Sequence, residues 1–190
     1  MNRILIITIL FISCNNSNID EKYEKIDFFI DKSTLSEKQL IDNNFHFSYP
    51  IKLNELTKDE FNSINESIKN EKNTFLKLNL IKAYGSDSNF GILINKINDK
   101  NVLKKIEESD YYEQLKNNFK TSKINIGKFK HNNIKFTQAI LNSSNIVVIN
   151  IIFNINDDFY QLNYFIPNLE YKNVLKSIES SIGSINKFNK

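Results

Sequence analysis

Ile146-Val147-Val148-Ile149-Asn150-Ile151-Ile152-Phe153 is apolar at odd and even positions alike. Successive side chains of a strand point to opposite faces, so such a run buries both faces and belongs in the middle of a sheet. Strand-like runs flank it, at residues 124–129 and 134–141 before it and 159–166 after it. The separators Lys130-His131-Asn132, Asn142-Ser143-Ser144 and Asn156-Asp157-Asp158 are short enough for antiparallel hairpins. The spacing therefore predicts a four-stranded antiparallel meander centred on residues 146–155.

Working outward, Asn168 is placed to cap a helix carrying Tyr171, Val174, Leu175, Ile178 and Ile182 on one side, with Gly183 at its end. Upstream, Val102 to Lys120 carries apolar residues at helical spacing, with a phase slip near Ser109-Asp110. Leu76, Leu78 and Leu80 alternate, as do Phe90, Ile92 and Ile94, and the turn residues Gly85-Ser86-Asp87-Ser88-Asn89 join the two runs into a hairpin. Thr57-Lys58-Asp59-Glu60 reads as a capping box opening a helix over 57–70, with Phe61, Ile64 and Ile68 on one face. Before it, Phe45, Phe47 and Tyr49 alternate with His46 and Ser48 until Pro50 ends the ladder. Strands and helices in this order predict a single-domain α+β fold, an antiparallel sheet of about six to seven strands packed with helices.

The amino-terminal segment has a different character. Arg3 precedes an apolar run from Ile4 to Ile12, then come Ser13 and Cys14. The run is too short to span a bilayer, which takes roughly 20 residues, and a basic start before a short apolar stretch is the layout of an export signal. Phe11-Ile12-Ser13-Cys14 resembles the lipobox of bacterial lipoproteins cleaved by signal peptidase II, with Phe11 where Leu is usual. The resemblance implies a diacylglyceryl thioether on Cys14, cleavage before it and acylation of the new amino terminus. Cys14 is also the single cysteine of the chain, so no intramolecular disulfide can form and a lipidated sulfur leaves no reactive thiol. The organisation expected is a signal peptide at 1–13, a lipidated Cys and polar tether at 14–42 with a possible first strand at 26–30, and an α+β domain at 43–190. The protein is then exported and lipid-anchored to a bacterial membrane, on its periplasmic or its surface face.

Removing Arg3 leaves 24 Lys against 22 acidic residues, a net charge of about +2 with the signs interspersed. That gives no basic stripe for nucleic acid, and a mature chain without Arg lacks the residue best suited to bidentate capture of phosphate. Four Gly in 190 residues leave little from which to build a phosphate-cradling loop. His46 and His131 are far apart with no second ligand at metal-binding spacing, and both read as exposed surface histidines. Glu107-Glu108-Asp110 and Asp157-Asp158 read as solvated charge on a helix and in a turn, with a weak calcium contact as the alternative. Neither a cofactor nor a metal is expected. Most of the fifteen Phe fall at core-facing positions, whereas Tyr111, Tyr112, Tyr160 and Tyr164 are the residues that could line an interaction surface.

The strand Phe45-His46-Phe47-Ser48-Tyr49-Pro50, the return strand at 159–167 and the closing helix from Tyr171 through Ser177-Ile178-Glu179-Ser180-Ser181-Ile182 together resemble the PsbP/DcrB-like fold group. This likeness covers about residues 43 to 186 and implies a non-enzymatic accessory or binding module. The expectation is a cell-envelope lipoprotein that binds a protein or small-molecule partner, with the membrane engaged through the lipid on Cys14. An immunity or toxin-neutralising lipoprotein is the alternative, and an envelope hydrolase is the reading with least support, because no catalytic cluster is legible.

Overall fold

The computed structural model describes residues 23–71, 75–99, 102, 106, 111–121 and 123–189. Its long strands are the four of the meander, β7 (Ile124–His131), β8 (Ile134–Asn142), β9 (Ile146–Ile155) and β10 (Asp158–Pro167), and the earlier hairpin of β5 (Leu78–Gly85) and β6 (Gly91–Ile97). With two short strands, β1 (Glu24–Lys25) and β4 (Asn54–Glu55), they form one eight-stranded sheet in the order β1-β7-β8-β9-β10-β6-β5-β4. Every pairing is antiparallel except β1 with β7. β9 is paired on both sides and buried on both faces, as its sequence requires.

The hairpins close tightly because Asn and Asp tolerate the left-handed region. Asn132 and Asn133 both have positive φ, and so do Asn156 and Asp157. His131 therefore belongs to β7, paired with Ile134, and not to the turn in which its sequence neighbours place it.

A second sheet of three short strands, β2 (Gln39–Ile41), β3 (Phe45–Phe47) and β11 (Asn186–Lys187), runs in the order β11-β3-β2. It packs on one face of the large sheet together with α3 (Tyr171–Gly183). There Phe45, Phe47 and Ile41 meet Phe153, Tyr160 and Leu162, while Val174, Ile178 and Ile182 complete the core. The other face is covered by α2 (Tyr111–Asn118) and by Val102 and Ile106, against Ile97, Ile152, Ala139, Leu141 and Val148. α1 (Lys58–Asn70) lies beside β5 with no fully buried residue. Its capping box is formed, Thr57 N–H donating to Glu60 Oε2 at 2.9 Å and Glu60 N–H to Thr57 Oγ1 at 3.4 Å. The phase slip near Ser109-Asp110 lies outside the described residues.

Four local readings come out differently in the structure. Residues 26–30 form no strand; β1 precedes them, and Ile26 and Phe28 pack on the core. The chain joins the fold well before residue 43, since Leu35 and Ile41 are buried and a 3-10 turn spans Lys32–Thr34. At α3 the residue preceding the helix is Glu170, without a side-chain cap, and Asn168 instead donates to the carbonyls of Ser143 and Ser144, both at 2.9 Å. Gly183 has no positive φ, because the helix continues into Ser184, which has helical φ. A Cβ at Gly183 would lie 2.6 Å from Phe28 Cβ, so the glycine is there for close approach of the amino-terminal segment.

Candidate functional site

Three polar clusters interrupt the apolar packing. The first lies on the α2 face of the large sheet, where neighbouring strands set Asn95 opposite Gln161 and, one step along the same face, Asn163 opposite Asn150. Asn95 Nδ2 donates to Gln161 Oε1 at 3.3 Å, and Asn163 Nδ2 to the same oxygen at 2.9 Å. Asn150 Nδ2 donates to Asn163 Oδ1 at 2.6 Å. Tyr111, from α2, donates to Asn150 Oδ1 and accepts from Gln161 Nε2, both at 3.1 Å. Burial raises the Tyr111 hydroxyl's pKa above its ordinary value, so it stays a neutral donor. Asn95 is 1% exposed and its Oδ1 has no hydrogen-bond partner. Beside this cluster a cavity of about 90 Å³ is lined by Phe75, Leu76, Leu78, Leu115, Tyr111 and Gln161, among others. Amides on an apolar floor can orient a neutral group but carry no charge for acid-base chemistry.

The second cluster sits at the end of the sheet that carries the Asn156-Asp157 turn. The β2–β3 turn contributes Asp42 and Asn44, with Asp42 and Asn43 both at positive φ. Lys96 Nζ bridges Asp158 at 2.8 Å and Asp42 at 3.1 Å, and Tyr160 donates to Asp42 Oδ2 at 2.8 Å. Asn44 Nδ2 reaches both Asp158 Oδ2 at 2.9 Å and the Tyr160 oxygen at 2.6 Å. The hydrogen bond to Asp158 is the largest influence holding the Lys96 ammonium charged beyond its usual range. Burial is the first cause that pushes the Tyr160 hydroxyl up.

The third cluster ties chain ends together. His131 is 7% exposed. Its Nδ1 lies 3.0 Å from the Ile26 carbonyl and its Nε2 3.0 Å from the Gly183 carbonyl. Nearby, Ser181 donates to the Ser48 carbonyl at 2.8 Å and accepts from Tyr164 at 3.0 Å, and Ser48 N–H donates to Ser184 Oγ at 2.9 Å.

Set against the sequence, His131 is not an exposed histidine, because the two-residue turn that follows leaves it in the strand and facing the core. His46 is half-buried, its Nδ1 without a partner and its ring 5.3 Å from that of Phe188. Tyr111, Tyr160 and Tyr164 do not line a surface; all three rings are buried, and only Tyr112 among the four keeps partial exposure. Asp158 is ion-paired, while Asp157 is exposed at the turn. Cys14 and Glu107-Glu108-Asp110 lie outside the described residues. Among the described residues no group of three His, Cys, Asp or Glu side chains is placed to hold a metal ion, and no helix is long and apolar enough to cross a membrane. Sequence reading missed Asp42, Asn44 and Lys96, which come from different elements. It also missed the amide cluster of Asn95, Asn150, Gln161 and Asn163, whose signal was available as amides set singly among apolar strand residues.

The geometry defines an α+β single domain in which many of the described polar groups are gathered into hydrogen-bonded clusters. No family model matches the chain, and no curated protein sequence matches it. Among solved structures the chain is similar to the solution structure of cyanobacterial PsbP (CyanoP) from Synechocystis sp. PCC 6803, with a TM-score of 0.49 and 8% sequence identity over 93% of this chain and 98% of that one.

Proposed function

We propose that this protein is a lipid-anchored, non-enzymatic module of the bacterial cell envelope that binds a partner there. The observation that carries the reading is Arg3, the apolar run from Ile4 to Ile12 and Ser13-Cys14, with Cys14 the single cysteine. A lipid attached to this sulfur supplies the membrane affinity, at about 0.8 kcal/mol for each buried methylene, and two or more acyl chains make anchoring stable. The non-enzymatic part is supported by what the ionisable groups do. Both ring nitrogens of His131 face backbone carbonyls, Lys96 is held between two aspartates, and the hydroxyls of Tyr84, Tyr111, Tyr160 and Tyr164 are kept neutral by burial. Groups engaged in this way serve packing and leave little freedom for proton transfer.

Metabolic labelling with a fatty acid tests the anchor. Wild-type protein takes up label and fractionates with membranes, and Cys14→Ser loses both. Label retained by Cys14→Ser, or absent from the wild type, removes the lipoprotein reading. Complementation of a deletion strain tests the rest: Lys96→Ala and His46→Ala chains that fold should restore the phenotype, and a folded variant that fails marks a catalytic or binding residue.

A further inference from the structure

We propose that the groove between residues 30–38 and the small sheet binds a small hydroxy acid, a carboxylate with a hydroxyl group and a short aliphatic body. The proposal gives a ligand class to the binding role above and does not require the lipid on Cys14. The groove has a volume of about 400 Å³, and Ile30, Lys32, Leu35, Lys38, Ser48 and Asn186 are among the residues that line it. Small-molecule sites begin at roughly 300 Å³. Its walls are fixed by the fold: Ser36 N–H donates to the Tyr49 carbonyl at 2.8 Å, and Ile51 N–H to the Thr34 carbonyl at 2.9 Å. A site held in this way needs little ordering when a ligand enters.

Three features of the lining select this chemistry. Ser48 is 7% exposed. Its N–H donates to Ser184 Oγ at 2.9 Å and its carbonyl accepts from Ser181 Oγ at 2.8 Å, while its own hydroxyl makes no hydrogen bond among the described residues. A buried hydroxyl without a partner is costly, so a ligand group that completes it gains affinity. Asn186 Nδ2 donates to the Ser184 carbonyl at 3.0 Å, which leaves its Oδ1 as an acceptor. A hydroxyl and an amide oxygen lining one groove suit an alcohol, which both donates and accepts. Lys32 and Lys38 are exposed, and neither forms an ion pair among the described residues. No acidic side chain among the described residues lines the groove. Asp31, next to Lys32, is engaged by Lys176 at 2.7 Å and by the Ser33 hydroxyl at 2.6 Å. Two ammonium groups without a counter-charge attract a carboxylate. Ile30 and Leu35 supply the apolar part and favour an aliphatic body over an inorganic anion.

The test is a titration of the isotopically labelled chain in detergent micelles, followed by its backbone amide resonances, with 3-hydroxyhexanoate as the probe. Hexanoate, hexane-1,3-diol and inorganic phosphate lack in turn the hydroxyl, the charge and the aliphatic body. The expected result is saturable shifts at residues 30–38, 48 and 184–186 with 3-hydroxyhexanoate. Binding of the diol and of phosphate should be about ten-fold weaker, and Lys32→Ala/Lys38→Ala should lose a similar factor for the hydroxy acid. Ser48→Ala should weaken the hydroxy acid several-fold and leave hexanoate unchanged. It should not lower the urea midpoint, because no internal hydrogen bond of the hydroxyl is lost. The proposal is overturned by the absence of saturable shifts at the groove, by undiminished binding to Lys32→Ala/Lys38→Ala, by phosphate binding as tightly as the hydroxy acid, or by a Ser48→Ala effect that hexanoate shares. Fatty-acid labelling of the same preparation reports the anchor, so failure of the lipoprotein reading and failure of the site are separate results.

Discussion

At the residue scale, His131 shows how position decides what a titratable side chain does. Two backbone carbonyls, from Ile26 ahead of the meander and Gly183 at the end of α3, converge on its ring, and Phe28 meets it edge to face with centroids 5.1 Å apart. Removing the imidazole leaves a void and takes the ring N–H from the carbonyl it serves, and a buried polar group that loses its partner costs about 1–3 kcal/mol. His131→Ala is accordingly expected to lower unfolding free energy by at least that amount in urea titrations. Asp157→Asn, at an exposed turn position where Asn keeps the left-handed conformation, should stay within about 0.5 kcal/mol. An Ala at 131 as stable as the wild type would mean that the carbonyl left without its donor finds another. Gly183 is the companion case. Its absent side chain makes room for Phe28, so Gly183→Ala overpacks the contact and should cost about 1–3 kcal/mol.

At the scale of elements, the amino-terminal segment is part of the fold and not only a tether. Leu35 and Ile41 are each buried, which stabilises by about 1.5–3 kcal/mol per side chain relative to exposure, and Asp31 N–H donates to Ser180 Oγ on α3 at 3.0 Å. Against a total of about 5–15 kcal/mol for a domain, a chain beginning at residue 43 should lose its cooperative thermal transition by circular dichroism; a sharp transition retained near the wild-type temperature would show the segment to be dispensable. α1 offers the opposite case, a helix with no buried residue whose cap is fully formed. Thr57→Ala should cost about 1 kcal/mol, read as a shift of the urea midpoint without a change in slope. The two elements differ equally in how legible they are. Thr57-Lys58-Asp59-Glu60 announces its helix within four residues, and the meander is legible because period-two alternation and Asn-rich turns are local signals. Residues 24–41 carry strands of two and three residues, buried singly by contacts with segments far along the chain, and no local period records that. The polar cluster at the sheet end was illegible for the same reason: Asp42, Asn44, Lys96, Asp158 and Tyr160 meet only once the sheet has formed, whereas Asp157-Asp158 on its own reads as solvated charge.

At the scale of the whole molecule, the shifted groups define a pH window for stability. Tyr84, Tyr111, Tyr160 and Tyr164 all have their hydroxyl pKa raised above the ordinary 10.0, burial being the first cause in each, and Lys96 is raised above 10.5 by its bond to Asp158. The folded state holds these protons more tightly than the unfolded chain does, so their contribution is complete below about pH 10 and is lost as pH rises beyond it. Asp31 is displaced in the other direction. Its carboxylate is lowered from 3.8 to about 2, first by the hydrogen bond from Lys176 and then by Ser33, and the Lys176–Asp31 contact of 2.7 Å fastens the 3-10 turn to α3. The folded state here prefers the charged form, so its contribution is present above about pH 4 and is lost as pH falls toward 2. The unfolding temperature should therefore show a plateau between about pH 4 and pH 10. On the alkaline side, the tyrosinate absorbance at 295 nm contributed by Tyr84, Tyr111, Tyr160 and Tyr164 should appear only together with loss of the near-ultraviolet circular dichroism. Smooth ionisation of all eight tyrosines in a chain that remains folded would contradict the packing of those rings. On the acid side, Asp31→Asn should lower the plateau and flatten the fall between pH 4 and 2, because the amide accepts from Ser33 but cannot pair with Lys176 as a carboxylate does. An acid limb left unchanged by that substitution would show that the fastening of the amino-terminal turn to α3 contributes nothing to the stability of the whole.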